Sequence, residues 1–254
     1  MTSAPFDLTG KVAIVTGSTR GIGRAIADAL ADAGARVVVS SEDHEATAGA
    51  AAELGRGAIG VPCDVTEAAE IADLVDATIA AFGGIDIVVS NAGITGAPGP
   101  VATVDMADYA RVCDVNLTSM VNLANHALPH LARRDGSLIL LASIAGLRGN
   151  GAINAYALAK AGVIQLARNL AVEWGPRGVR VNAISPGLIA TELSRPLLDD
   201  EHFMTRRLQM TPLRRAGTPE EVAGAALFLA SSAAGFVTGH NLVVDGGTVI
   251  TDGS

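Results

Sequence analysis

Three side chains in the stretch 143–160 have the types and the spacing to share one chemical task. Tyr156 and Lys160 lie four residues apart, and the apolar pattern from 152 to 174 predicts a helix around them. Residues four apart on a helix share a face, so the phenol and the ammonium point into the same space. Ser143 follows a strand-like run, where a parallel sheet presents its carboxyl edge. A phenol, an ammonium and a hydroxyl can therefore converge on one point.

The elements that would position these groups alternate along almost the whole chain. Apolar, β-branched runs predict strands at 11–16, 36–41, 58–62, 85–90, 137–142, 179–185 and 241–244. Helical patterns cover 22–33, 45–54, 67–82, 106–131, 152–174 and 219–230, and Pro129 is expected to kink or end the helix that contains it. Strands of this kind, each followed by a helix, indicate a parallel sheet covered on both faces. The sequence predicts a single α/β domain with a doubly wound sheet.

Composition restricts the class of protein and its partners. The chain has 254 residues, is 49% hydrophobic and carries a net charge of −8, which suits one α/β domain and disfavours nucleic-acid and membrane partners. Cys63 and Cys113 are isolated thiols, as expected in a reducing cytosol. The amino terminus lacks the apolar core of a signal peptide, so a cytoplasmic protein is expected. His126 and His130 lack a third ligand nearby, and no metal site is expected.

A glycine-rich turn, TGSTRGIG, occupies residues 16–23 between the first predicted strand and the first predicted helix. Glycines permit a tight turn and a close backbone approach, and the helix offers free N–H groups to a pyrophosphate. The spacing is GxxxGxG rather than GxGxxG. Its position nevertheless favours nucleotide binding over an ordinary loop.

Two further turns follow predicted strands. Asp64 could accept a hydrogen bond from an adenine amino group while Val65 packs on the ring. The alternative is a plain loop in which Thr66 is the N-cap of the next helix. The small residues of Asn91-Ala92-Gly93 form a turn that would let a cofactor lie flat over the sheet edge.

Taken together, TGSTRGIG, Asn91-Ala92-Gly93, Asn116, Ser143, Tyr156-x-x-x-Lys160 and Pro186-Gly187 resemble the short-chain dehydrogenase/reductase family. The motifs span residues 11–247 in the family's order and spacing. The resemblance implies a Rossmann-like, seven-stranded parallel sheet, a nicotinamide cofactor and usually a homotetramer or a dimer. It implies hydride transfer between that cofactor and a secondary alcohol or ketone.

The resemblance also implies roles for single residues. Tyr156 would be the general acid/base, Ser143 would bind the substrate oxygen, Lys160 would hold the nicotinamide ribose, and Asn116 would anchor a water leading to the lysine. The cofactor would contact Gly17, Ser18, Thr19, Arg20, Gly21, Ile22, Gly23, Ser41, Glu42, Asp64, Val65, Asn91, Ala92, Gly93, Tyr156, Lys160, Pro186, Gly187, Ile189 and Thr191.

The lysine has an energetic reason to stand beside the tyrosine. A free tyrosine has a pKa of about 10, and lowering it by about 3 units needs roughly 4 kcal/mol. An ammonium about 5 Å away supplies roughly 3 kcal/mol at an effective dielectric of about 20. A positively charged nicotinamide could add the rest. A lowered pKa of Tyr156 is therefore expected.

The end of the second predicted strand bears on cofactor choice. An acidic side chain there binds the ribose hydroxyls of NAD, whereas an arginine accepts the 2′-phosphate of NADP. Ser41 stands where NAD-preferring relatives carry aspartate, and Glu42 where many NADP relatives carry arginine. The carboxylates of Glu42 and Asp43 would repel a phosphate, which favours NAD, while Arg20 points towards NADP.

The stretch 188–218 separates a cofactor-binding core, 7–187, from a C-terminal helix and strand, 219–254. Family members place a mobile substrate lid here. Leu188, Leu193, Leu197, Phe203 and Met204 would give the lid an apolar inner face. The pocket is expected to be mostly apolar and to favour a neutral alcohol or ketone, with a lining of Ser143, Ala145, Leu147, Asn150, Tyr156, Leu188 and Leu193.

Two alternatives remain open at this point. The chain also resembles NADPH-dependent 3-ketoacyl-carrier-protein reductases, with Arg133, Arg134 and Arg177 as a docking surface for an acidic carrier protein. The other alternative is a nucleotide-binding module that is catalytically silent. Alanine-, leucine- and valine-rich helices at 106–131 and 152–174 suggest pairing between subunits.

Overall fold

A parallel sheet lies at the centre of the structure, a computed structural model that describes residues 5–251. Within those residues its strands are β1 Val12–Thr16, β2 Arg36–Ser40, β3 Ile59–Gly60, β4 Ile87–Ser90, β5 Ser137–Leu141, β6 Arg180–Pro186 and β7 Asn241–Val244. Their spatial order is 3-2-1-4-5-6-7, and every pairing is parallel. The prediction of a doubly wound, seven-stranded sheet is confirmed. Strand order reverses between β1 and β4, so a crevice opens at their carboxyl ends.

Helices cover both faces of the sheet. They are α1 Gly21–Asp32, α2 His44–Leu54, α3 Ala68–Phe82, α4 Met106–Cys113, α5 Ser119–Leu131, α6 Asn154–Trp174, α7 Arg195–Leu198, α8 Glu201–Gln209 and α9 Pro219–Ala230. One core layer packs α1, α2 and α9 on the sheet, and the other packs α3, α5 and α6. Strand residues alternate between the layers, with Val15 in the first and Ile14 in the second. Alternation along fully buried strands explains why their sequences read as continuous apolar runs.

Pro129 lies inside the last turn of α5, which ends at Leu131 as predicted. The structure departs from the sequence expectations at two places. The third strand is regular only over Ile59–Gly60, although backbone hydrogen bonds to the β2 side continue from Val61 to Val39 and from Cys63 to Ser41, both at 2.9 Å. The stretch between β6 and α9, for which the sequence analysis predicts no helix, contains α7 and α8.

The amino edge of the sheet is fixed by a buried carboxylate. Asp86, only 5% exposed, accepts hydrogen bonds from the Lys11 ammonium at 3.0 Å, the backbone N–H of Val12 at 3.0 Å and the Arg134 guanidinium at 3.2 Å. A buried charge is tolerated when it is paired and hydrogen-bonded in this way. These contacts join β1, the start of β4 and the segment before β5, so they set the strand ends opposite the crevice.

No helix among residues 5–251 combines the length and the apolar character needed to cross a membrane.

Candidate active site

Helix α6 carries the tyrosine and the lysine into the crevice. Its amino end is held by a bridge between Ile153 and Gly99 and by the Asn154 amide, which donates to the Gly99 carbonyl at 2.8 Å. The Nζ atom of Lys160 lies 5.6 Å from the centre of the Tyr156 ring. The expected shared face of the helix is therefore observed.

Ser143 lies at the carboxyl end of β5, two residues after the strand ends. Its hydroxyl accepts a hydrogen bond from the Ala145 backbone at 3.1 Å and so begins a single 3₁₀ turn over Ile144–Gly146. A hydrogen bond also links the Ser143 and Tyr156 side chains. The hydroxyl, the phenol and the ammonium thus converge as their spacing predicts.

Asn116 lies in a π-helical segment, Asp114–Thr118, that joins α4 to α5. Its amide nitrogen donates to the carbonyls of Ile94 at 2.8 Å and Val112 at 2.9 Å. The side chain is wholly buried, and its Oδ1 lacks a hydrogen-bond partner among the described residues. π-Helical turns and unsatisfied buried acceptors both concentrate at functional sites.

Gly93 lies between Asn116 and the lysine. A Cβ atom on Gly93 would lie 2.7 Å from Asn116 Oδ1 and 3.5 Å from Lys160 Nζ. The absence of a side chain therefore keeps the orphaned acceptor open towards the lysine.

Burial governs the protonation of the central pair. Burial raises the pKa of Tyr156, and the hydrogen bond from Ser143 lowers it by less. Burial also lowers the pKa of Lys160 to about 7. In this structure burial therefore sets the direction of the pKa shift for both groups, since a site dry enough to destabilise a phenolate also destabilises the ammonium. The lowering of the tyrosine pKa by the lysine together with an oxidised nicotinamide stays a prediction for the cofactor complex.

A cradle of glycines lies beside this cluster, between β1 and α1. The Asn91 amide donates to the carbonyls of Thr16 at 3.0 Å and Gly17 at 2.9 Å. A Cβ atom on Gly17 would lie 2.9 Å from the Cα atom of Ala92, and one on Gly23 would overlap the Gly17 carbonyl and the Asn91 amide. These residues, predicted to touch a cofactor, are packed against each other so closely that only glycine fits at 17 and 23.

Thr16 is a residue of this cradle that the sequence reasoning missed. Its hydroxyl is buried and accepts hydrogen bonds from the backbone of Asn91 at 3.0 Å and of Ala92 at 3.2 Å. A threonine that ends a strand gives no distinctive sequence signal, because its partner lies on another strand.

The rest of the turn leads into α1. Ser18 is wholly buried and donates to the Val15 carbonyl at 2.6 Å, so its side chain closes the turn. Arg20 occupies the N-cap position of α1 and has no acceptor atom with which to cap the helix. The first N–H groups of α1 are thus free for an anion. Thr19 and Ile22 are half-buried at the mouth of the cradle.

The end of β2 contains the residues predicted to select the cofactor. Ser41 is buried, and its hydroxyl donates to the Glu42 carboxylate at 3.3 Å. Asp43 accepts from the backbone of Ala46 at 2.9 Å and is the N-cap of α2. The hydroxyl oxygen of Ser40 is wholly buried and, like Asn116 Oδ1, has no hydrogen-bond partner among the described residues. Glu42 and Asp43 are both exposed, and the Asp43 carboxylate is already engaged in capping α2.

The loop after β3 forms a local turn. Asp64 accepts hydrogen bonds from the Thr66 backbone at 2.9 Å and the Thr66 hydroxyl at 2.7 Å. The N-cap of α3 is Glu67, so the alternative that makes Thr66 the cap is wrong. Val65 is half-buried and packs against the second core layer.

The segment after β6 crosses the mouth of the cradle. Pro186 ends the strand, and a Cβ atom on Gly187 would lie 2.8 Å from the Cα atom of Asp245. Ile189 is buried, and the Thr191 side chain lies 3.6 Å from the position of a Cβ atom on Gly21. This segment therefore lies close enough to the glycine cradle for the predicted contacts with a cofactor.

The predicted substrate-pocket residues differ in exposure. Ala145 is 7% exposed, whereas Leu147 is 41% and Leu193 is 60% exposed. Asn150 accepts a hydrogen bond from the Ala152 backbone at 2.8 Å, and Leu188 is half-buried. Of the residues expected to form the apolar inner face of the lid, Leu193 and Leu197 are exposed, whereas Leu188, Phe203 and Met204 are half-buried.

The arginines proposed to receive a carrier protein lie on the wrong side of the sheet. Arg134 is bound to Asp86 at the amino edge, and Arg133 precedes it in the chain. Arg177 stacks on Trp174 at 4.5 Å in the connection that leads into β6. The expectation that these residues adjoin the pocket is wrong, because the catalytic cluster lies at the carboxyl edge.

Comparisons with known proteins agree with this arrangement. The family model described as enoyl-(acyl carrier protein) reductase matches residues 17–249. A 2-dehydro-3-deoxy-D-gluconate 5-dehydrogenase from Formosa agariphila is 39% identical over 254 residues, which cover 98% of this chain and 96% of the relative. A cis-4-hydroxycyclohexanecarboxylate dehydrogenase from Sinomonas cyclohexanicum is 41% identical over 240 residues, or 93% of this chain and 96% of the relative.

A solved structure gives the same result. The gluconate 5-dehydrogenase of Burkholderia cenocepacia J2315, in complex with NADP and tartrate, superposes with a TM-score of 0.93 at 36% identity, covering 97% of this chain and 98% of that one. The chain belongs to the short-chain dehydrogenase/reductase family. It is an oxidoreductase that acts on CH–OH groups with a nicotinamide cofactor.

Proposed function

We propose that this protein interconverts a secondary alcohol and a ketone, with Tyr156 as the general acid/base. The observation that carries the proposal is the convergence of Ser143, Tyr156 and Lys160 beside a glycine cradle at one sheet edge. A phenol whose pKa burial raises holds its proton at neutral pH and can give it to a carbonyl oxygen.

Each residue of the cluster has a separate task. Tyr156 gives its proton to the substrate oxygen in ketone reduction; in alcohol oxidation it must first lose its own proton, and the resulting phenolate then takes the proton of the hydroxyl. Ser143 donates a hydrogen bond to the same oxygen and so holds it beside the phenol. Lys160 and Asn116 support proton movement behind the tyrosine, since Asn116 Oδ1 is a free acceptor on the lysine side of the site.

The residues of the cradle fit a dinucleotide. The uncapped N–H groups at the start of α1 suit a pyrophosphate. Gly21 leaves room for close backbone approach, whereas Gly17 and Gly23 allow the turn itself to pack tightly. The remaining contacts proposed are those from Asp64, Val65, Asn91 and Ala92 on one side and from Pro186, Gly187, Ile189 and Thr191 on the other. When bound, the nicotinamide supplies or accepts the hydride.

NAD is the proposed preferred cofactor. Glu42 places an exposed carboxylate at the end of β2, where it would repel a 2′-phosphate. The Arg20 guanidinium, the nearest candidate for that phosphate, lies 3.7 Å from the Glu192 carboxylate. The structure of the Burkholderia relative contains NADP, so both cofactors are compared. Initial rates with both cofactors test the preference, and a strong preference for NADPH contradicts it.

The proposed function also assigns roles to the segments of the chain and an assembly to the protein. We propose a cofactor-binding core over 7–187, a substrate lid over 188–218 and a C-terminal unit over 219–254, in a cytoplasmic homotetramer. Free thiols at Cys63 and Cys113 support the compartment. The fully exposed Phe236 and the 80%-exposed Val172 support subunit contacts near β7 and α6. Light scattering tests the assembly, and a stable monomer contradicts it.

A panel of secondary alcohols and ketones, each assayed with NAD(H) and NADP(H), tests the activity. Turnover of any member that disappears in Tyr156→Phe supports the proposal. Tight cofactor binding by calorimetry without turnover of the whole panel would instead favour a nucleotide-binding module.

A further inference from the structure

Two arginines stand apart from the other cations in residues 5–251. Five arginines are partly buried: Arg24, Arg134, Arg148, Arg180 and Arg207. Arg24 and Arg134 pair with carboxylates, and Arg180 donates to a backbone carbonyl at 2.7 Å. In the described chain, Arg148 and Arg207 have neither an ion pair nor a hydrogen-bond acceptor. A guanidinium withdrawn from water without an acceptor is costly and favours the arrival of an anion.

These two arginines belong to the two walls of the proposed substrate pocket. Arg148 lies in the loop that runs from Ser143 to α6, and Arg207 lies on α8 in the proposed lid. Burial, and then the charges of Arg148 and Arg206, lower the pKa of Arg207. Arg148 is therefore near enough for its charge to act on Arg207, although the two lie on separate segments.

Helix α8 orients the second guanidinium. The Cζ atom of Arg207 lies 5.2 Å from the centre of the Phe203 ring, one helical turn earlier. Stacking on a ring occupies the face of a guanidinium and leaves its N–H edge for an acceptor. Carboxylates match that planar edge with two parallel hydrogen bonds.

We propose that Arg148 and Arg207 form a subsite for a carboxylate of the substrate, at the end remote from the reacting CH–OH group. This inference rests on the proposed function, because it names the substrate class of that same pocket. It replaces the expectation of a neutral substrate in an apolar pocket. The names of three relatives point the same way, since gluconate, its 2-dehydro-3-deoxy derivative and hydroxycyclohexanecarboxylate are hydroxy acids.

Matched substrates isolate the carboxylate. The kcat/KM values for D-gluconate and D-gluconamide, and for cis-4-hydroxycyclohexanecarboxylate and its carboxamide, are compared in the parent protein and in the variants Arg148→Met and Arg207→Met. Methionine keeps much of the apolar stem and removes the charge. Arg206→Met, which removes an exposed neighbouring charge from the same helix, is the control.

The parent is expected to prefer an acid to its amide. Each pocket variant should lower that acid-to-amide ratio about 10- to 100-fold, mainly through KM, as loss of a charged hydrogen bond does. Arg206→Met should keep the parent ratio. A ratio near one in the parent, or equal losses for acid and amide in the variants, overturns the subsite.

Binding provides a second readout that does not depend on turnover. Calorimetry should show that tartrate binds the parent and the control but not the two pocket variants, and equal binding to all four proteins overturns the subsite. A different outcome is that acetoacetyl-carrier protein is the preferred substrate and that only its reduction is impaired in the variants. The two arginines would then bind an acidic carrier protein, and the proposal of a small hydroxy-acid substrate would be wrong. If tartrate binding depends on both arginines while no member of the panel turns over, the subsite holds and the proposed function fails.

Discussion

The Nζ atom of Lys160 donates a hydrogen bond to the carbonyl oxygen of Leu141 at 2.8 Å. Leu141 is the last residue of β5, and Ser143 follows it closely, so this contact fixes the catalytic helix to the strand that presents the serine. Lys160 is 3% exposed, and the Leu141 carbonyl is the hydrogen-bond acceptor found for its ammonium among the described residues. The lysine therefore has a positioning task besides its electrostatic one.

Removal of the phenol should stop catalysis while leaving the cofactor site intact. Tyr156→Phe keeps the ring and removes the proton-carrying group, so we expect a loss of at least about 100-fold in kcat, the range of general acid–base catalysis. Calorimetric titration with the cofactor should remain within a few-fold of the parent. Near-normal turnover in the variant would show that another group carries the proton.

The free protein should keep Tyr156 protonated well beyond neutral pH. Because burial raises its pKa, tyrosinate absorbance should appear only above about pH 10, the ordinary value. The contribution of Tyr156 is obtained by subtracting the titration of Tyr156→Phe, since Tyr109 is the other tyrosine in the chain. A tyrosinate signal near neutral pH would restore the view that the lysine charge prevails over burial.

Lys160→Met should separate stability from activity. Burial lowers the pKa of Lys160 from 10.5 to about 7, so between those values the unfolded chain binds more protons than the folded one. The free energy of unfolding of the parent, measured relative to the variant, should therefore rise as pH increases through that window. The variant should be inactive and have its largest stability advantage near or below pH 7, where the parent must bury the charge.

Chemical denaturation at several pH values measures this difference. Other titrating groups are common to both proteins and largely cancel. A stability difference that stays constant from about pH 7 to pH 9.5 would mean that the lysine keeps its charge in the folded protein.

Two glycine substitutions should have opposite effects on stability. In Gly23→Ala the new methyl group would overlap the Gly17 carbonyl, so the turn must shift; we expect a loss of about 1–3 kcal/mol and weaker cofactor binding. Gly49 lies inside α2 with open space where a Cβ would be, so Gly49→Ala should stabilise by up to about 1 kcal/mol. Urea denaturation measures both, and a neutral Gly23→Ala would show that the turn is not tightly packed.

The order of strands and helices could be predicted because each element has its own local pattern. Tyr156 and Lys160 were predictable for the same reason, since one helix sets their spacing. Contacts between distant segments could not be predicted. The hydroxyl of Thr16 bonds to the chain around Asn91, and the charge of Arg148 acts on Arg207 from a separate segment. The effect of burial on the pKa of Tyr156 could not be predicted either, because spacing reveals a nearby charge but not the depth of burial.

The buried Asp86 divides the molecule into two regions with different tolerance to change. Its ion pairs with Lys11 and Arg134 secure the amino ends of the strands, while all the proposed chemistry lies at the opposite ends. The sequences of the loops at the carboxyl edge can therefore change without disturbing the ion pairs that hold the amino ends of the strands together. Substitutions around Asp86 should alter the lifetime of the fold rather than the choice of substrate, which makes the amino edge the place for thermostability engineering and the lid the place for redesigned specificity.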